Sequence, residues 1–91
     1  MRILLASNAS YHPPKGGSTR SNLAWLRPMA AHGHEIRVVC PTDRGAPDYD
    51  AVVDGMSIRG VRDLSFHSRT LGDEIRCYQP DWILVSSEDL S

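Results

Sequence analysis

No apolar run in the chain approaches the ~20 residues that a membrane-spanning helix needs. The opening run Ile3-Leu4-Leu5-Ala6 enters a polar turn at once, which is too short for the core of a signal peptide. Only two cysteines are present, Cys40 and Cys77, so no disulfide framework is available. These absences lead us to expect a reduced, cytoplasmic chain without a transmembrane segment. The ten Lys and Arg form no basic run, and a net charge of −1 leaves no electrostatic footprint for nucleic acid. Asp48, Asp50 and Asp54 lack the spacing of a calcium loop. What remains is a 91-residue chain, 41% apolar and 23% charged, the ordinary composition of one soluble domain with a thin core.

The order of apolar segments is more informative. Ile3 to Ala6 reads as a central strand covered on both faces. A loop rich in Pro and Gly follows, ending in Gly16-Gly17, and Ser18 or Thr19 can cap the helix after it. Leu23, Leu26 and Ala30 give that helix one apolar face, Pro28 should kink it, and Gly33 should end it. Ile36 to Cys40 is a second strand, followed by a polar loop from Thr42 to Asp54. Met56 to Val61 alternates with period two and reads as a half-exposed edge strand. Leu64, Leu71, Ile75 and Tyr78 recur at helical spacing with Asp73, Glu74 and Arg76 outward; Pro80 ends that helix, and Trp82 to Val85 is a further apolar strand.

This order predicts an α/β fold: a doubly wound, Rossmann-like parallel sheet of about four strands. Right-handed crossovers put the first strand in the centre, the second and third on one side and the fourth on the other. Ligands in such sheets bind beyond the carboxyl ends of the strands, where the order reverses. Asn8 to Gly17 and Ser86 to Asp89 should therefore converge. The fourth strand would carry an unpaired outer edge, so self-association through it is expected.

At that end of the sheet the Gly16-Gly17 pair, just ahead of a helix, suits an anion. The same pair also reads as a plain turn. A dinucleotide fingerprint is excluded because about nine residues separate the strand from Gly16. A Walker loop is excluded because Lys15 precedes the glycines. Lys15 and Arg20 can pair with phosphate oxygens or remain solvated charges. Ser86, Ser87, Glu88 and Asp89 can bind sugar hydroxyls, serve acid/base roles or cap a following helix. His32-Gly33-His34 lies at the opposite end of the sheet and reads as a helix-ending turn rather than a metal site. No residue pattern identifies a catalytic group.

Arg2-Ile3-Leu4-Leu5, Pro13-Pro14, Gly16-Gly17, Leu23-Ala24, Gly33-His34-Glu35-Ile36 and Val38-Val39 together resemble the start of GT-B fold glycosyltransferases, especially the retaining enzymes of family 4. Asp54-Gly55-Met56, Ile58 to Val61 and Pro80-Asp81-Trp82-Ile83 extend the resemblance over essentially the whole chain. It implies that residues 1–91 are a truncated GT-B N-terminal domain on the acceptor side of a cleft. Its nucleotide-sugar, a co-substrate rather than a cofactor, would be held mainly by a missing C-terminal domain. The resemblance implies no structural metal and makes Gly16, Gly17 and Arg20 binding residues. Thr19 departs from the Glu common in the family, Pro28 interrupts a helix usually unbroken, and the paired acidic motif of the second domain is absent. The fragment alone is therefore not expected to transfer sugar. A non-catalytic binding or assembly module of the same fold is the alternative.

Overall fold

A computed structural model describes residues 1–12, 17–62, 64 and 69–87. Five strands form one mixed sheet: β1 (Arg2–Ser7), β2 (Glu35–Pro41), β3 (Tyr49–Val53), β4 (Met56–Val61) and β5 (Trp82–Ser86). Their spatial order is β3-β4-β2-β1-β5. β1 pairs in parallel with β2 and β5, β4 pairs in parallel with β2, and only β3 is antiparallel. Helix α1 (Gly17–Ala31) connects β1 to β2, and α2 (Arg69–Tyr78) lies between β4 and β5.

The helices cover opposite faces. Leu23 and Leu26 of α1 pack with Ile3, Leu5, Ile36, Val38 and Ile58. Leu71 of α2 joins Leu4, Ala6 and Val39, with Ile75 and Tyr78 alongside. Neighbouring residues of β1 thus feed two separate cores, as the period of two demands. This is why Ile3 to Ala6 reads as an unbroken apolar run: all four are buried.

The expected strand order holds, with one addition and one correction. Four strands were expected and five are present, because Tyr49 to Val53 lies within the segment read as a polar loop. Asp54 (φ 52°) and Gly55 (φ 79°) form a two-residue turn with both residues left-handed, which returns the chain from Val53 to its partner Met56. Met56 to Val61 is consequently an inner strand, not an edge; its Met56 and Ile58 are fully buried. Alternation there reflects two differently filled faces rather than solvent on one side.

The helix ends also refine the sequence reading. α1 begins at Gly17, so Ser18 and Thr19 lie inside its first turn rather than at a cap position. It runs on through Pro28, whose exposed position leaves the carbonyl of Ala24 on the solvent side. Gly33 (φ 93°) ends it as expected: Gly33 N–H donates to Ala30 C=O and His34 N–H to Met29 C=O, closing a Schellman motif. α2 stops at Tyr78, one residue before left-handed Gln79 and two before Pro80, and Leu64 lies outside it.

Glu74 does not face outward. Its carboxylate lies 2.9 Å from Arg37 Nε on β2 and 2.9 Å from Arg59 Nε on β4, although the Arg59 contact is off the hydrogen-bond line. Asp50 of β3 extends the network to Arg59 at 2.8 Å and to Arg37 at 3.8 Å. Charge thus ties α2 to β2, β3 and β4 alongside the apolar contact of Leu71 with Val39.

Candidate functional site

β1 ends in Ser7, whose buried hydroxyl accepts the N–H of Ala9 at 3.1 Å and turns the chain across the top of the sheet. Asn8 N–H then donates to the carbonyl of Ser86 at the end of β5, 3.4 Å away. Tyr11 drops its ring into the α1-side core, where it is 1% exposed. Its hydroxyl accepts a hydrogen bond from Asn22 Nδ2 at 2.8 Å. The same amide donates to Ser86 Oγ at 3.0 Å, while Asn22 Oδ1 accepts from Trp25 Nε1 at 3.2 Å. One amide on the second turn of α1 thus joins the loop after β1 to the end of β5.

The expected convergence at the reversal of strand order is therefore present for Asn8, Tyr11 and Ser86. Gly17 opens α1 and is exposed, and among the described residues no atom would meet an added Cβ. Arg20 is exposed on the first turns of that helix, and Ser87 is exposed just past β5. Lys15, Gly16 and Glu88 lie outside the described residues.

Asn22 and Tyr11 were not singled out by the sequence. A polar residue at helical spacing beside an apolar stripe carries no mark of what it bonds. Tyr49 is a second such residue. It stands over Gly60 from the adjacent strand, its hydroxyl lies 3.7 Å from Cys40 Sγ, and its ring lies 5.8 Å from that of His12. The buried Ser10 hydroxyl faces the same phenol without reaching hydrogen-bond geometry. Tyr49 thereby props the loop after β1 from the side opposite Asn22.

Electrostatics in this prop are those of neutral groups. Burial pushes the Cys40 thiol up, against smaller opposing effects from the Tyr11 backbone and the Tyr49 hydroxyl. Burial, then the Cys40 thiolate charge, raises the Tyr49 phenol well above its ordinary value. Neither is a nucleophile at neutral pH. Cys77 is exposed on α2.

Other features lie away from this end. His34 Nδ1 sits 3.3 Å from the terminal amine of Met1, at the amino ends of the strands. Among the described residues no three His, Cys, Asp or Glu come together as a metal site. A cavity of about 490 Å³ runs between α2 and the sheet, bordered by Arg37, Arg59, Glu74 and Tyr78. None of the predicted site residues that the structure describes (Gly17, Arg20, Ser87) lines it. No helix among the described residues is long and apolar enough to cross a membrane.

Comparison with protein-family models, with curated proteins and with solved structures gave no match.

Proposed function

We propose that the chain is the amino-terminal, acceptor-side part of a retaining GT-B glycosyltransferase, with a Rossmann-like sheet. In this reading it forms one wall of a cleft in which a sugar passes from a nucleotide-sugar to an acceptor. The observation that carries the proposal is the Asn22 bridge. It fixes the loop after β1, the start of α1 and the end of β5 around the point where strand order reverses. That is where an open α/β sheet takes its ligands.

Gly17 adds support. Its φ is not left-handed, and among the described residues no atom would meet an added Cβ. A ligand would thus have room to approach the first amides of α1. Those amides point along the positive end of the helix dipole and would stabilise charge on a departing diphosphate. Arg20 would add a cation at the same end, and Ser87 a hydroxyl for a sugar. Lys15, Gly16 and Glu88 belong to the same proposed set. The second domain would supply the rest of the donor site, and this chain alone would not turn over. A cytoplasmic location belongs to the proposal as well.

The test is an amide-resolved NMR titration with UDP-glucose as the probe. Shifts concentrated at Gly17, Asn22, Ser86 and Ser87 are expected, with a weaker response in Asn22→Ala. That variant should lose about 1–2 kcal/mol of stability while remaining folded, since it leaves two partly buried hydroxyls without their donor. No response at millimolar probe, or shifts confined to other surfaces, would reject this chain as a wall of that cleft.

A further inference from the structure

We infer that the carboxyl end of the sheet binds a small anion, a molecule carrying phosphate or carboxylate, through Arg44, Arg62 and Arg69 together with Arg20. The arginines of this chain sort by place. Arg2, Arg27, Arg37, Arg59 and Arg76 each lie within ion-pair distance of a carboxylate. Arg20, Arg44, Arg62 and Arg69 are exposed and have no carboxylate partner among the described residues. All four follow the end of a parallel strand. Arg20 lies on the first turn of α1 after β1, Arg44 in the turn after β2, Arg62 directly after β4, and Arg69 opens α2. Those strands are neighbours in the order β4-β2-β1, so the four cations rim one end of the sheet above a width of about 10 Å.

Two of these arginines are pinned by their backbones. After β2 the chain turns tightly: Ala46 N–H donates to Asp43 C=O at 2.9 Å, and Thr42 Oγ1 donates to Ala46 C=O at 2.6 Å. Within that turn Arg44 holds a left-handed backbone (φ 47°), which residues other than Gly, Asn and Asp rarely adopt. Backbone strain of this sort gathers at binding sites. Arg62 N–H donates to Asp48 Oδ1 at 2.6 Å. Its Nη2 lies 4.0 Å from the point where a Cβ on Gly45 would stand, which brings a second cation to the Arg44 turn. The carboxylates of Asp43 and Asp48 lie within ion-pair distance of none of the four arginines.

The hydrogen bonds at this end share that polarity. Trp25 Nε1–H can only donate, so it fixes Asn22 Oδ1 as its acceptor and turns both amide hydrogens toward Tyr11 and Ser86. The half-buried Ser86 hydroxyl accepts one of them and keeps its own proton to give. Cations and hydroxyl protons without an acceptor suit a group that only accepts, and phosphate and carboxylate oxygens are such groups. Arginine adds the paired N–H geometry that fits both. The anion site stands on the sorting of the arginines. Its identity as the acceptor substrate rests on the proposed function, in which this chain is the acceptor-side wall of the cleft.

An NMR titration with glucose 6-phosphate at low salt tests it, with glucuronate and glucose as parallel probes. Glucose 6-phosphate should shift the amides of Arg20, Arg44, Arg62 and Arg69 saturably, and neutral glucose should not. A tighter response to glucuronate would assign the same site to carboxylates. Raising salt from about 50 to about 200 mM should weaken binding several-fold, because exposed charges are screened. Arg44→Gln and Arg62→Gln should each weaken it about 3- to 10-fold, and adding Arg69→Gln to the pair should abolish it. Arg27→Gln and Arg76→Gln remove the same charge from paired sites and should leave binding unchanged. Equal losses from Arg27→Gln and Arg44→Gln would reduce the effect to net charge and overturn the inference. So would silence toward both anions, or rim variants that lower the urea midpoint and spare binding, which would give these arginines to carboxylates of the chain itself. Glucose 6-phosphate binding at the rim, with Gly17, Asn22 and Ser86 unmoved by UDP-glucose, would sustain the anion site and reject the cleft. The converse would reject the anion site and leave the cleft standing.

Discussion

Gly60→Ala should be among the most destabilising single-methyl additions in this protein, and Tyr49 should be the whole reason. An added Cβ at position 60 would lie 2.1 Å from Tyr49 Cε1 and 2.5 Å from Cζ. Those atoms belong to the middle of a rigid ring, so no rotation of a flexible end relieves the overlap. The ring must leave its place over the strand, taking with it the contacts to Cys40 and His12. Overpacking of this type costs about 1–3 kcal/mol. Stability for a domain of this size is of order 5–12 kcal/mol, so the loss would be plain in a urea melt. In a Tyr49→Val background the obstructing atoms are gone. There Gly60→Ala should be neutral or stabilise by up to ~1 kcal/mol, because alanine loses less chain entropy than glycine in a strand. The double-mutant cycle should therefore show a coupling of about 1–4 kcal/mol. Equal costs in the two backgrounds would refute the reasoning, and with it the role given to Tyr49 in propping the loop after β1.

Glu74→Gln should cost about 1–3 kcal/mol in urea unfolding, since it leaves the partly buried Arg37 and Arg59 with only the more exposed Asp50 as carboxylate partner. Hydrogen exchange should loosen first in α2, and an unchanged midpoint would mean the helix is held by its apolar contacts, Leu71, Ile75 and Tyr78, without help from the ion pairs. Stability should also fall at alkaline pH. Cys40 and Tyr49 are raised by burial, and Tyr78 is pushed up to about 12 by burial and then by the Glu35 carboxylate. Groups raised in the folded state give stability that is whole below their unfolded values of about 9 for Cys and 10 for Tyr, and that is lost as pH climbs toward the folded ones. The urea midpoint should hold from pH 7 to about 9 and then decline, with a shallower slope in Cys40→Ala.

Much of the scaffold was legible because it follows from local rules. Ile3 to Ala6 could only be a strand buried on both faces, Gly33 could only end a helix, and right-handed crossovers left one order for the parallel strands. β3 escaped notice because Tyr49-Asp50-Ala51-Val52-Val53 sits among prolines and acids that read as loop. The signal that could have found it was Asp54-Gly55, a pair suited to a two-residue hairpin turn.

The candidate site divides along the same line. Topology alone brought Asn8 and Ser86 together, since reversal of strand order is a property of connectivity. Side-chain roles were a different matter. Periodicity told that Glu74 and Asn22 lie off the apolar stripes of their helices, but not that one would bridge two arginines and the other a tyrosine and a serine. Such contacts join residues 37 and 64 positions apart. Local sequence therefore determined which segments are strands and helices and in what order they cross. Only the folded sheet decided which polar groups meet, because a hydrogen bond or ion pair depends on where two distant segments arrive, and no local pattern carries that.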